Sequence, residues 1–262
     1  MTLVMGVLNV TPDSFYDGGR WSDPDAAIAH GLAMVAEGAD IVDIGGESSR
    51  PGAAEVTVKE ELRRVVGVTR ALAEHLGGRA RISIDTRKRP VAEAALEAGA
   101  TVVNDISASL WPVAAEAGAG WVAMHMRGEP SNMMALAHYD DVFTEVRDFL
   151  VARAEQAASA GVKEIWVDPG IGFAKTTRHN LVLMARLREI VEAVGWPVLV
   201  GISRKRFIGA VASGDEASPV PVEERLEGSL AGAVWAMTCG AAVVRVHDVK
   251  PTVDAAKLVG VK

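Results

Sequence analysis

Eight short apolar runs rich in Val, Ile and Ala recur along the chain, each closed by a polar or glycine-rich stretch. They are Leu3–Asn9, Ala39–Gly45, Ala80–Asp85, Thr101–Asp105, Gly120–His125, Glu164–Asp168, Pro197–Gly201 and Ala241–Val246. Between them lie segments of helical period long enough for crossover helices: Asp25–Glu37, Glu60–Leu76, Val91–Ala98, Asp141–Ala160, Leu181–Val194 and Val222–Cys239. Strands joined through helices lie parallel, and runs without polar alternation are those of strands buried on both faces. Eight such units in 262 residues fit a closed (β/α)8 TIM barrel. An open doubly wound sheet fits less well, because no Gly-x-Gly-x-x-Gly follows the first run. The expectation is an α/β fold, one barrel domain over residues 1–262, with Ser213–Pro221 as a long surface loop.

Composition narrows the function. One cysteine, Cys239, rules out an internal disulfide or a cysteine-based zinc site and suits a reducing compartment. The first ten residues lack the basic region of a signal peptide, and no apolar stretch approaches a membrane span, so a cytoplasmic protein is expected. The net charge of −7 argues against nucleic acid as the main partner.

A barrel of this kind builds its site from loops at the carboxyl ends of its strands. Those ends carry Asn9 and Thr11-Pro12-Asp13-Ser14-Phe15; Gly45-Gly46-Glu47-Ser48-Ser49-Arg50-Pro51-Gly52; Asp85-Thr86-Arg87; Asn104-Asp105; His125-Met126-Arg127; Asp168-Pro169-Gly170 with Phe173; Ser203-Arg204-Lys205; and Arg245 with His247. A single Asp after a strand usually caps a helix. Carboxylate, amide, guanidinium, ammonium and imidazole groups at one rim point to a site. Arg245 and His247 follow the last strand, where barrels commonly bind phosphate.

Taken in order, these motifs, with Met5-Gly6-Val7-Leu8 at the start, Asp43-Ile44 before Gly45 and Gly170-Ile171-Gly172-Phe173-Ala174-Lys175 late in the chain, resemble the dihydropteroate synthases over essentially the whole length. The resemblance implies condensation of 7,8-dihydropterin-6-ylmethyl pyrophosphate with p-aminobenzoate, releasing pyrophosphate, in a homodimeric enzyme that uses Mg²⁺. It implies pterin contacts from Asp85, Asn104, Ile106, Met124, Asp168, Phe173 and Lys205, and pyrophosphate contacts from Asn9, Ser49, Arg50, Arg245 and His247. Asn9 would also bind the metal, and Phe15, Ser49, Pro51, Phe173, Lys205 and Arg206 would form the p-aminobenzoate slot. Lys205, Asp85, Arg245 and His247 would carry the catalysis, and sulfonamides, as p-aminobenzoate mimics, would compete. The first two loops are expected to close over bound pyrophosphate.

The chain departs from the family in places. Arg206 follows the Lys of Ser-Arg-Lys where many relatives have Ser and could pair the benzoate carboxylate or point to solvent, Tyr16 stands where Ser is frequent, and Ser107-Ala108-Ser109-Leu110 replaces a more glycine-rich stretch. Asp105 is expected to serve structure, and each of His125 and His247 a hydrogen-bonding role. The competing readings are a pterin-binding methyltransferase barrel, which needs no pyrophosphate clamp; a Schiff-base aldolase using Lys205, which needs a desolvated lysine; and a non-catalytic pterin-binding homologue.

Overall fold

The computed structural model of the protein describes residues 1–11, 23–50 and 52–262. Its eight strands are β1 (Leu3–Asn9), β2 (Ile41–Gly45), β3 (Arg81–Asp85), β4 (Val102–Asp105), β5 (Gly120–Met124), β6 (Ile165–Asp168), β7 (Leu199–Gly201) and β8 (Val243–Val246). Each falls within its predicted run, shortened by no more than two residues at either end. All pairings are parallel in the order β6-β5-β4-β3-β2-β1-β8-β7, and a parallel bridge between Val167 and Val198 brings the two edges together into a nearly closed barrel. The barrel predicted from the alternation is the fold observed.

The helices are α1 (Pro24–Ala36), α2 (Val58–Leu76), α3 (Arg89–Glu97), α4 (Trp111–Ala117), α5 (Val142–Ser159), α6 (Thr177–Ala185), α7 (Leu187–Val194), α8 (Arg206–Ser213), α9 (Leu226–Thr238) and α10 (Val249–Leu258). The expected helix over 181–194 is the end of α6 and all of α7, parted at Arg186, whose guanidinium lies 3.6 Å from the ring centroid of Phe143. The expected helix over 222–239 opens with a 3-10 turn, Val222–Arg225, before α9. Capping follows the side chains: Thr57 accepts from Glu60 N, and Thr176 forms a capping box with His179.

Apolar side chains fill two regions. The larger core lies between strands and helices, and a smaller cluster of Met5, Ile41, Val102, Val122, Trp166, Leu199 and Val243 plugs the barrel interior. The interior above that plug is polar. Register decides what stands there: Asn9 pairs with Gly45, Gly45 with Asp85 and Asp85 with Asn104, so three predicted site residues share one rung at the strand ends.

Candidate active site

The strand ends open into a cavity of about 880 Å³, of the size that holds a small-molecule ligand. Among the expected site residues Asn9, Ser49, Arg50, Asp85, Phe173, Lys205, Arg206, Arg245 and His247 border it. Phe15 and Pro51, with Tyr16, lie outside the described residues. Asn104, Ile106, Met124 and Asp168 are buried and do not border the cavity. Of these, Asn104 and Asp168 connect to it through two long cations that border it. Arg245 shares the Asp43 carboxylate with Asn104, and Lys205 is attracted by Asp168.

Arg245 leaves β8 and binds two carboxylates: Nε donates to Asp43 Oδ2 and Nη2 to Asp85 Oδ2, both at 2.6 Å. Burial works against its charge, but Asp43 and Asp85 outweigh burial and hold the guanidinium well above its ordinary pKa. Burial pushes the Asp85 carboxyl up and Arg245 pulls it back; with Asp43, Glu61 and Asp105 adding like charge, its pKa stands at about 7. Burial lowers Lys205 to about 8, with Asp168 opposing and Arg245 reinforcing the shift. Its ammonium donates to the Ile171 carbonyl and lies 4.6 Å from the ring centroid of Phe173. His247, desolvated and beside Arg245, falls to about 3, so at neutral pH it is an uncharged imidazole. Its Nδ1 lies 3.1 Å from Ser203 Oγ.

Asp168 caps the turn after β6 from behind Lys205. One oxygen accepts from Gly170 N at 2.7 Å, fixing the turn after β6. Burial raises its pKa against the pull of Lys205. The segment that follows is tightly specified. Gly170 has φ 65°, and a Cβ there would lie 1.9 Å from the His125 carbonyl oxygen; a Cβ on Gly172, φ 85°, would lie 2.9 Å from Lys205 Cδ. The Gly170→Ala protein is expected to lose at least about 2 kcal/mol of stability, read as a shifted urea midpoint, and an unchanged midpoint contradicts this geometry.

Two residues of the motifs had no assigned part. Lys175 is buried on carbonyls of its own loop: Nζ donates to Gly170 O and Phe173 O, both at 3.0 Å, and lies 3.0 Å from His125 Nδ1. That contact gives His125 the hydrogen-bonding role expected of it, and the loop bends around an internal lysine amine whose pKa burial lowers well below its ordinary value. Ala174 stands where a phosphate-binding loop has Gly before its lysine, which already sets this segment apart from that motif. Asp43, in the middle of β2, is the other. Asp105, as expected, is structural: it accepts from Ser107 N, Ser107 Oγ, Ser109 N, Leu110 N and Trp121 Nε1. The serines that depart from the glycine-rich pattern supply several of those donors.

The loop carrying Ser49 and Arg50 is anchored from behind by Glu47, which accepts from Val56 N at 2.8 Å and pairs with Arg87 and Lys88. Arg204, between Ser203 and Lys205, takes φ 56° and is held there by a two-point ion pair with Asp248, at 2.8 and 2.7 Å. A left-handed arginine is strained backbone, kept because the Asp248 pair ties the Lys205 segment to the one following β8. Arg206, the first residue of α8, is exposed and donates to the Glu216 carbonyl.

A guanidinium and an ammonium spanning buried carboxylates at the mouth of a parallel barrel suit an anionic heterocyclic substrate. Residues 5–247 match the family described as pterin binding enzyme. The chain is also 48% identical to the dihydropteroate synthase of Mycobacterium leprae, over 98% of its own length and 92% of that protein's. The chain belongs to the dihydropteroate synthase family. The solved dihydropteroate synthase of Yersinia pestis, in a sulfonamide drug complex, superposes with a TM-score of 0.91 at 43% identity, covering 98% of this chain and 93% of that one. The Xanthomonas albilineans dihydropteroate synthase with 4-aminobenzoic acid gives 0.88 at 44%, covering 98% and 91%. As a dihydropteroate synthase the protein is a transferase, which displaces the methyltransferase-barrel, aldolase and scaffold readings. No helix among the described residues is long and apolar enough to cross a membrane.

Proposed function

We propose that this site joins 7,8-dihydropterin-6-ylmethyl pyrophosphate to p-aminobenzoate, giving 7,8-dihydropteroate and pyrophosphate. The observation that carries the reading is the placement of Arg245 and Lys205 across one cavity floor, over Asp43, Asp85, Asn104 and Asp168. Asp168 takes the donor edge of the aminopyrimidinone and Asn104 offers an amide of both polarities. Lys205 donates to the ring carbonyl, and Ile106, Met124 and Phe173 pack on the rings. Arg50, Arg245, Ser49 and the N–H of neutral His247 hold the diphosphate, where negative charge collects as it leaves.

The described residues fit a divalent hard cation. A Cβ on Gly45 would lie 3.7 Å from Asn9 Oδ1 and 3.8 Å from Asp85 Oδ2, so two oxygens converge beside a position without a side chain. No group of three or more His, Cys, Asp or Glu that could hold a metal gathers among the described residues, so Mg²⁺ would rest on Asn9, the diphosphate and water. When bound it supplies positive charge at the leaving diphosphate.

The course we assign is dissociative. The bond between the pterin methylene and the diphosphate oxygen breaks with its electron pair on oxygen, and the electron-rich dihydropterin shares the resulting cation. Asp85, close to the ring, stabilises that charge. The aryl amine then attacks the methylene and loses a proton, and no covalent link to the protein forms. The amine is nucleophilic without a strong base, so the contacts assigned to it around Ser49 and Phe173 act by positioning. Arg206 pairs the benzoate carboxylate, and sulfonamides compete there. The working form is a cytoplasmic homodimer. Leu181, Val211 and Trp235 are exposed on α6, α8 and α9, the late helices such an interface would use.

Release of pyrophosphate, followed with and without p-aminobenzoate and Mg²⁺, tests the proposal: release that needs all three supports it, and release indifferent to the aryl amine refutes it. The pH profile follows from the same groups. Asp85 acts as its anion and Lys205 as its cation, so kcat/KM rises as Asp85 ionises near about 7 and falls as Lys205 loses its proton near about 8. A profile flat from about pH 6 to 9 contradicts those assignments.

A further inference from the structure

We infer that Asp43 is a positioning residue that joins the heterocycle and diphosphate halves of the site through one carboxylate oxygen. The inference rests on the assignment of those halves above. Asp43 stands in β2, fully buried in the barrel interior. Its Oδ2 accepts from Arg245 Nε at 2.6 Å and from Asn104 Nδ2 at 2.9 Å. Arg245 comes from β8 and Asn104 from β4, so a single atom connects side chains that the sheet order sets far apart. With Asp85 on Nη2, the guanidinium is held along its Nε–Nη2 edge, and its Nη1 donors point away from both carboxylates.

Stability accounts for only one oxygen of this carboxylate, the one that pairs with Arg245. Among the described residues its other oxygen, Oδ1, has no hydrogen-bond partner, and neither has the hydroxyl of Ser83, which stands opposite Asp43 in the β2–β3 register. An unsatisfied buried oxygen is a cost that the pairing alone does not explain. What Oδ2 holds gives the residue its purpose. One acceptor fixes both the amide that reads the heterocycle and the guanidinium that grips the diphosphate. Ordering either side chain on its ligand therefore orders the other, and the two halves bind cooperatively.

Inorganic pyrophosphate and 6-hydroxymethylpterin, each titrated by calorimetry alone and with the other saturating, test this on the full chain. In the parent protein each probe is expected to tighten the other about fivefold. Asp43→Ala, which removes the shared acceptor, weakens both by about tenfold and removes the mutual effect, whereas Ser83→Ala, beside it in the same buried layer, leaves affinities and coupling unchanged. A folded Asp43→Ala protein that keeps the coupling overturns the inference, as does equal loss in Ser83→Ala, which marks general packing damage. Should Asp43→Ala not fold, Asn104→Ala decides: this side chain has no place at the diphosphate, so weaker pyrophosphate binding supports the link and unchanged binding overturns it. A parent protein that binds neither probe sinks the reading of the site itself, while one that binds both independently sinks only the role of Asp43.

Discussion

Lys205→Met is expected to abolish turnover, with dihydropteroate formation at least about a thousandfold below the parent and the fold retained. Methionine keeps the length of the stem that lies over Gly172, where a Cβ would come within 2.9 Å of Lys205 Cδ, so packing survives. What is lost is the ammonium between Asp168 and Phe173, the group assigned to the pterin carbonyl. Without it the buried Asp168 also loses its strongest attractive partner. The loss should fall on kcat/KM for the pterin pyrophosphate, measured at saturating p-aminobenzoate. Near-parental product formation would remove Lys205 from the mechanism.

Asp168→Asn carries the next largest expected effect. The amide can still accept from Gly170 N through its oxygen, so the turn after β6 holds. Its NH₂ then faces the donor edge of the aminopyrimidinone, and two donors are set against each other in a buried site. A site built to hydrogen-bond a polar edge rejects a mismatch steeply, so kcat/KM for the pterin substrate should fall by about a hundred- to thousandfold. The KM for p-aminobenzoate should hardly move. Pterin kinetics within about threefold of the parent would show that Asp168 serves the turn alone.

The barrel was legible because a strand buried on both faces leaves a run such as Ala39–Gly45 whose only polar residues are Asp40 and Asp43, without alternation. The short helices α4, α8 and α10 left no comparable signal: α8 spans eight residues with Gly209 inside it and forms on tertiary contact. Site residues at strand ends were visible for a similar reason, since register alone puts Asn9, Asp85 and Asn104 on one rung. Asp43 and Lys175 were not. Both are polar groups turned inward, one on a guanidinium from β8 and one on the carbonyls of its own loop. Such partners depend on three-dimensional closure and have no fixed spacing. Arg206 shows the reverse case, a residue conspicuous as a departure from the family whose contact, the Glu216 carbonyl, only the fold reveals.

A crystal structure of the protein with a pterin and pyrophosphate bound together tests the central claim most directly. The account predicts the aminopyrimidinone edge against Asp168 and Asn104, its carbonyl on Lys205, and the diphosphate on Arg245 and His247, all within the one cavity. A pterin seated elsewhere, or an Arg245 turned away from the diphosphate, would contradict it.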